Sequence, residues 1–183
     1  VSFHYTGEGQ EFVRPGSLNE LWDAIDSDAD YRIAGGATDL VLDSSLPPRT
    51  LPRLIALSGI EELRGVRRGT EQWDIGAMTA LSELEDAAPE RLPMLANMLR
   101  YFGSRQIKNL GTVGGNLCTA SPVGDLAPCF LALGASVVLA SRRGKRSVPI
   151  EGFFTGYRET ALRRGEIVAS IDVPIPRDGA MSA

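Results

Sequence analysis

The sequence has 183 residues, 43% of them hydrophobic and 23% charged, with 19 Lys+Arg against 23 Asp+Glu and a net charge of −4. A chain of this length can bury roughly 70% of its unfolded surface in one core or two neighbouring ones, which excludes disordered and fibrous classes. The charge has the wrong sign for a nucleic-acid binder, and the longest nearly apolar run, Leu126 to Ala140, is broken by Pro128 and Gly134 and falls short of the roughly 20 residues a bilayer span needs.

Cys118 and Cys129 lack C-x-x-C spacing, so neither a disulfide framework nor a thiolate metal site is expected, and a reducing cytoplasm fits. The chain opens without Met or a charged-then-apolar leader, so its native start is expected to lie elsewhere. Phe12-Val13 precedes Pro15-Gly16-Ser17, and then Leu18, Leu21, Trp22 and Ile25 fall at helical i, i+3, i+4, i+7 spacing. Ser17 and Glu20 form a capping-box pattern in front of that apolar stripe, and Trp22 on the stripe is expected to be core.

Tyr31 to Ala34 reads as a short strand before Gly35-Gly36. Pro47-Pro48 and Pro52 interrupt the chain ahead of a further strand, Leu54 to Leu57. Strands alternating with helices here argue for a small parallel β-α-β lobe. Beyond Glu71, Trp73 to Ala77 reads as a strand, and Thr79 to Ala88 and Pro93 to Phe102 as helices. Asp125 to Leu133 reads as a third helix, ended by Gly134. Ala135 to Ala140 and Ser147 to Ile150 flank the basic turn Arg142 to Arg146 as an antiparallel hairpin whose tip is expected to be merely solvated, and Ile167 to Val173 forms a last strand that Pro174 stops. The fold class is therefore α+β, with a larger second lobe built on an antiparallel sheet. The expected division is 1–60 and 61–176, with 177–183 as a tail.

His4 is the only histidine and lies near an end expected to fray, so no Ser-His-Asp triad can be assembled. Glu61-Glu62 and Glu83, Glu85 and Asp86 read as solvated helix faces rather than acid/base pairs. No catalytic side chain and no metal ligand are assigned. What remains is glycine chemistry. In Ile33, Ala34, Gly35, Gly36, Ala37, Thr38, Asp39 and Leu40, two residues without Cβ follow a strand, so the chain can turn sharply and aim successive amides into one anion-binding concavity; a plain turn accounts for the pair equally well. The second stretch, from Gln106 through Gly111-Thr112-Val113-Gly114-Gly115-Asn116 to Gly124-Asp125, reads as another amide-rich loop. Asp125 can cap the helix that follows or accept hydrogen bonds from sugar hydroxyls. Two such loops suit an elongated ligand with phosphates at one end, which describes a dinucleotide.

From about Phe12 to Pro174 the sequence resembles the FAD-binding domain of the molybdenum hydroxylases. The resemblance rests on Ala34-Gly35-Gly36-Ala37-Thr38-Asp39-Leu40, Arg105-Gln106-Ile107-Lys108-Asn109, Gly111-Thr112-Val113-Gly114-Gly115-Asn116, Ser121-Pro122-Val123-Gly124-Asp125 and Phe153-Phe154-Thr155-Gly156-Tyr157-Arg158-Glu159-Thr160. The last of these points to the xanthine dehydrogenase small-subunit branch over the carbon monoxide dehydrogenase relatives.

The resemblance implies a two-lobed FAD-binding fold of the molybdopterin dehydrogenase (PCMH) type. Residues 33–40 would wrap the pyrophosphate, Thr112, Gly115 and Asn116 would bind near it, and Asp125 would hold sugar hydroxyls. Phe102 and Val168 would pack around the rings. FAD would receive electrons from iron-sulfur clusters reduced at a molybdopterin site, both carried by other domains or subunits, and would pass a hydride to NAD+. A neighbouring segment would hold the eight cysteines of two clusters, and a C-terminal domain would supply a lysine and help cover the flavin. Ala37 stands where threonine or asparagine is often seen. The competing readings are another flavoprotein of related fold, such as a UDP-sugar enolpyruvyl reductase or an aryl-alcohol oxidase, and a non-redox nucleotide-binding or scaffold module.

Overall fold

The computed structural model describes residues 1–25, 30–45 and 53–175. Pro47-Pro48, Pro52 and the 177–183 tail lie outside the described residues. The N-terminal part runs β1 (Phe3–Gly7), β2 (Gln10–Arg14), α1 (Leu18–Ile25), β3 (Arg32–Ala34), α2 (Leu40–Ser45) and β4 (Arg53–Ala56). Its sheet has the order β1-β2-β4-β3, with β4 parallel to both β2 and β3, so the parallel β-α-β reading holds.

The hairpin partner β1 was not expected. Gly7 pairs with Gln10, and the two residues between them, Glu8 and Gly9, have φ of 51° and 76°. Positive φ at both positions is the hairpin turn whose usual sequence signal is Asn-Gly, and Glu-Gly hides it. His4 is therefore no frayed end: it pairs with Val13, and its Nε2 lies 2.9 Å from Glu11 Oε1.

α1 forms as its spacing predicts. Leu21, Trp22 and Ile25 are buried, and the Glu20 amide donates to Ser17 Oγ at 3.3 Å. The Glu20 carboxylate reaches back one residue further than a capping box requires, accepting from the Gly16 amide at 2.9 Å.

The second part runs β5 (Val66–Arg68), β6 (Gln72–Gly76), α3 (Leu81–Ala87), α4 (Pro93–Tyr101), α5 (Arg105–Leu110), α6 (Val113–Thr119), α7 (Leu126–Ala132), β7 (Ser136–Ser141), β8 (Gly144–Pro149), β9 (Phe154–Gly156), β10 (Glu159–Thr160) and β11 (Ile167–Pro174). Its five-stranded sheet, β5-β6-β11-β7-β8, is antiparallel throughout. One apolar core, with Phe130, Leu84 and Ile171 fully buried, packs the helices on this sheet. A second joins the two sheets: Leu21, Trp22 and Ile55 pack with Met78, Ala140, Ile167 and Ala169.

The basic hairpin tip is solvated as expected, Arg142 to Lys145 being exposed, with Arg142 paired to Asp23 of α1 at the surface and Arg146, on β8, paired to Glu166. One reading of a charged group is corrected. Glu85 is not a solvated carboxylate: only 16% of its side chain is exposed, and it accepts from Lys108 Nζ at 2.7 Å. Each partner lies 20 or more residues away in sequence, beyond the reach of local patterns.

Candidate functional site

The chain leaves β3 at Ala34 and passes through Gly35 to Asp39 before α2 begins. This segment lies against the turn between α5 and α6. A Cβ on Gly36 would overlap the Leu110 carbonyl oxygen and sit 2.5 Å from its carbon, and one on Gly35 would sit 2.7 Å from Thr112 Oγ1. Gly36 thus serves the close approach of two backbones, and Gly35 leaves room for the Thr112 side chain. The left-handed residue is instead Ala37, at φ 57°.

The amides of Gly36, Ala37, Thr38 and Asp39 donate to no acceptor among the described residues, although Gly36 to Thr38 are half-buried. Successive half-buried N–H groups without partners are costly unless water or an anion satisfies them.

The second glycine-rich stretch is not a loop. It is α6, and its first amides are consumed by the fold: Val113 donates to Thr79 O at 3.1 Å, Gly114 to Ala77 O at 2.8 Å and Gly115 to Thr112 Oγ1 at 3.1 Å. Gly114 is required because a Cβ there would lie 2.6 Å from Ala77 Cβ. The expectation of two amide arrays is therefore corrected to one, facing side chains from α6 and its cap. Thr112 is 5% exposed, and its hydroxyl caps α6 while keeping its own hydrogen free to donate. Thr112→Val is expected to cost about 1 kcal/mol through loss of this cap, read as a lowered urea midpoint at unchanged slope.

These pieces line one cleft of about 670 Å³, a normal size for a cofactor site. Ile33, Ala34, Gly35, Gly36, Ala37, Thr38, Asp39 and Leu40 form one wall; Thr112, Gly115, Asn116 and Asp125 face it from α6 and the start of α7. Phe102, half-buried after α4, and Val168, 3% exposed on β11, complete the set read from the sequence. The strand register breaks between Val168 and Ser170, next to the cleft that Val168 lines, and bulges are common beside sites.

Asp125 occupies the N-cap position of α7 yet makes no capping hydrogen bond, with helical backbone angles of −85° and −28°. Its exposed carboxylate is thus left for the cleft, and the cap reading is set aside.

Sequence reasoning missed Arg158, Leu162, Glu166 and Ile167, which also line the cleft. Arg158 sits between β9 and β10 at φ 56°. Glu166 accepts from Arg146 Nε at 2.8 Å and Nη2 at 2.7 Å, and these bonds hold its carboxyl below the usual range. No local signal joins residues 146 and 166; only the fold brings them together.

A flavin dinucleotide fits these residues: unpartnered amides for a diphosphate, hydroxyl, amide and carboxylate side chains beside them, and an apolar stretch at Phe102, Leu162 and Val168 for rings. Residues 5–176 match the family described as the FAD binding domain in molybdopterin dehydrogenase. The chain belongs to this family and is an FAD-binding domain. Among its relatives, xanthine dehydrogenase/oxidase of Rattus norvegicus is 32% identical over 96% of this chain, which spans 14% of that protein's length. The glyceraldehyde dehydrogenase medium chain of Sulfolobus acidocaldarius is 29% identical over 90% of this chain and 59% of its own. Carbon monoxide dehydrogenase from Hydrogenophaga pseudoflava has a similar structure, with a TM-score of 0.84 and 32% identity over 92% of this chain and 60% of that one.

Proposed function

We propose that this chain is the FAD-bearing electron-transfer module of a xanthine dehydrogenase-like molybdenum hydroxylase. It would take electrons from an iron-sulfur domain served by a molybdopterin subunit and deliver them to NAD+. The setting is a cytoplasmic enzyme of purine catabolism; among the described residues no helix is long and apolar enough to cross a membrane.

The observation that carries the reading is the run of unpartnered amides from Gly36 to Asp39, facing a cleft of dinucleotide size. When bound, FAD supplies the switch between one-electron and hydride chemistry. The protein's part is to hold and orient it. The Gly36 to Asp39 amides would donate to the diphosphate, with the Thr112 hydroxyl and the Asn116 side-chain amide beside it. Asp125 would accept from sugar hydroxyls. Phe102 and Val168 would give the rings an apolar bed. No side chain needs to act as acid or base.

The branch rests on the Phe153 to Thr160 motif, because identity does not separate the two relatives: the rat xanthine dehydrogenase/oxidase and the Hydrogenophaga pseudoflava carbon monoxide dehydrogenase are both 32% identical to this chain. Xanthine added to the intact enzyme should reduce the bound flavin, and NAD+ should then reoxidise it with formation of NADH; reduction of the flavin by carbon monoxide or an aldehyde, and not by xanthine, would contradict the branch while leaving the FAD site standing.

Asp125→Ala tests the site itself. The carboxylate's bonds to sugar hydroxyls are worth about 1.5–3 kcal/mol, so FAD affinity should fall roughly 10- to 150-fold. Because no cap is lost, the apo-protein unfolding midpoint should stay unchanged. Calorimetry showing lower stability with unchanged affinity would remove Asp125 from the site.

A further inference from the structure

The segment 161–166, which joins β10 to β11, gives the cleft Leu162 and Glu166, and the start of β11 adds Ile167 and Val168. Glu166 is its only carboxylate, and 11% of that side chain is exposed. Arg146, reaching across from β8, meets both carboxylate oxygens at 2.8 and 2.7 Å and donates a further bond to Ala161 O at 2.7 Å. The Arg163 amide donates to Glu166 Oε2 at 2.9 Å, and the Glu166 amide returns to Arg163 O at 3.0 Å. Two-point contact fixes the carboxylate's orientation as well as its charge. The guanidiniums of Arg163 and Arg164 belong to exposed residues that do not line the cleft, so they do not substitute for Arg146.

We infer that Arg146 is a positioning residue that neutralises the Glu166 carboxylate at the cleft wall and thereby keeps that charge from lowering the reduction potential of the bound flavin. The inference rests on the FAD reading above. Reduction of the flavin by two electrons and one proton, FAD + 2e⁻ + H⁺ → FADH⁻, adds one negative charge to the ring. A carboxylate without its partner beside that ring opposes the added charge, and a guanidinium without its partner favours it. The intact pair is neutral and biases neither state. The same bonds clamp the segment that places Val168, so a purely structural role must be separated from the electrostatic one.

Opposite signs separate them. In the intact FAD-loaded enzyme, Arg146→Met, Glu166→Gln and the double variant are compared by flavin-to-protein ratio and then by the flavin midpoint potential from spectroelectrochemistry. Arg146→Met is expected to shift the potential to more negative values and Glu166→Gln to more positive ones, with the double variant back near wild type. Single variants that shift the same way, or a potential that none of them moves, overturn the inference. If Arg146→Met does not fold, the comparison of Glu166→Gln with the double decides: the positive shift must be present in the first and absent in the second. Wild-type enzyme that carries no flavin contradicts the cofactor reading itself, and this inference with it.

Discussion

Gly36→Ala is expected to abolish flavin retention in the intact enzyme and to destabilise the chain. The new Cβ would overlap the Leu110 carbonyl oxygen and lie 3.0 Å from Gly111 Cα, both backbone atoms that no rotamer change can clear. The Leu110 side cannot yield cheaply. Gly111 is fixed by the hydrogen bond its N–H donates to Ile107 O at 2.7 Å and by the one its carbonyl accepts from the Leu81 amide at 3.0 Å, and the Val113 amide donates to Thr79 O. The Gly36 side must move instead, and with it the unpartnered amides from Gly36 to Asp39. Overpacking of this kind costs about 1–3 kcal/mol of stability, while displacement of those amides is expected to lower FAD affinity by more than about 100-fold, or some 2.8 kcal/mol. Bound flavin per chain and urea unfolding measure the two effects separately. A folded Gly36→Ala protein with full flavin content would contradict the assignment.

Lys108→Met carries the largest expected cost in stability. Lys108, on α5, has 7% of its side chain exposed, and its Nζ donates to Glu85 Oε2 of α3 at 2.7 Å and to Leu99 O of α4 at 3.0 Å. One ammonium therefore ties three helices together. Removing it leaves a largely buried carboxylate and a carbonyl without their donor, a loss of about 3–5 kcal/mol; Arg105, 3.4 Å from the same Glu85 oxygen, places the value toward the lower end. Replacing both partners, Lys108→Met with Glu85→Leu, should recover most of the loss, because the pair's net contribution is small once neither charge is left alone. Urea denaturation of the two variants checks this. Equal destabilisation of single and double would show that packing, rather than the unpaired charge, dominates.

How much of this was legible depended on the distance over which each signal acts. α1 could be read because its cap and its apolar stripe lie within nine residues, and β6 and the β7–β8 hairpin could be read from short apolar runs between turns. β1 could not, because Glu8 takes a left-handed conformation with no sequence mark. The glycines of α6 were misread as a loop because glycine disfavours helices; in the fold Gly114 is there for contact with Ala77, and packing overrides propensity. The ingredients of the cleft were visible as residue types at Gly35-Gly36, Thr112, Asn116 and Asp125. Their division of labour was not: the second segment spends its amides on Thr79, Ala77 and its own cap, a fact set by a β6-to-α3 connection some 35 residues upstream of it. The ion pairs of Arg146 with Glu166 and of Lys108 with Glu85 are likewise products of tertiary structure alone.

The most direct test is a structure of the intact protein loaded with FAD. The diphosphate oxygens should lie about 2.7–3.2 Å from the amide nitrogens of Gly36 to Asp39, with the ring system against Phe102 and Val168. A diphosphate bound elsewhere, with those amides turned to solvent, would contradict the account.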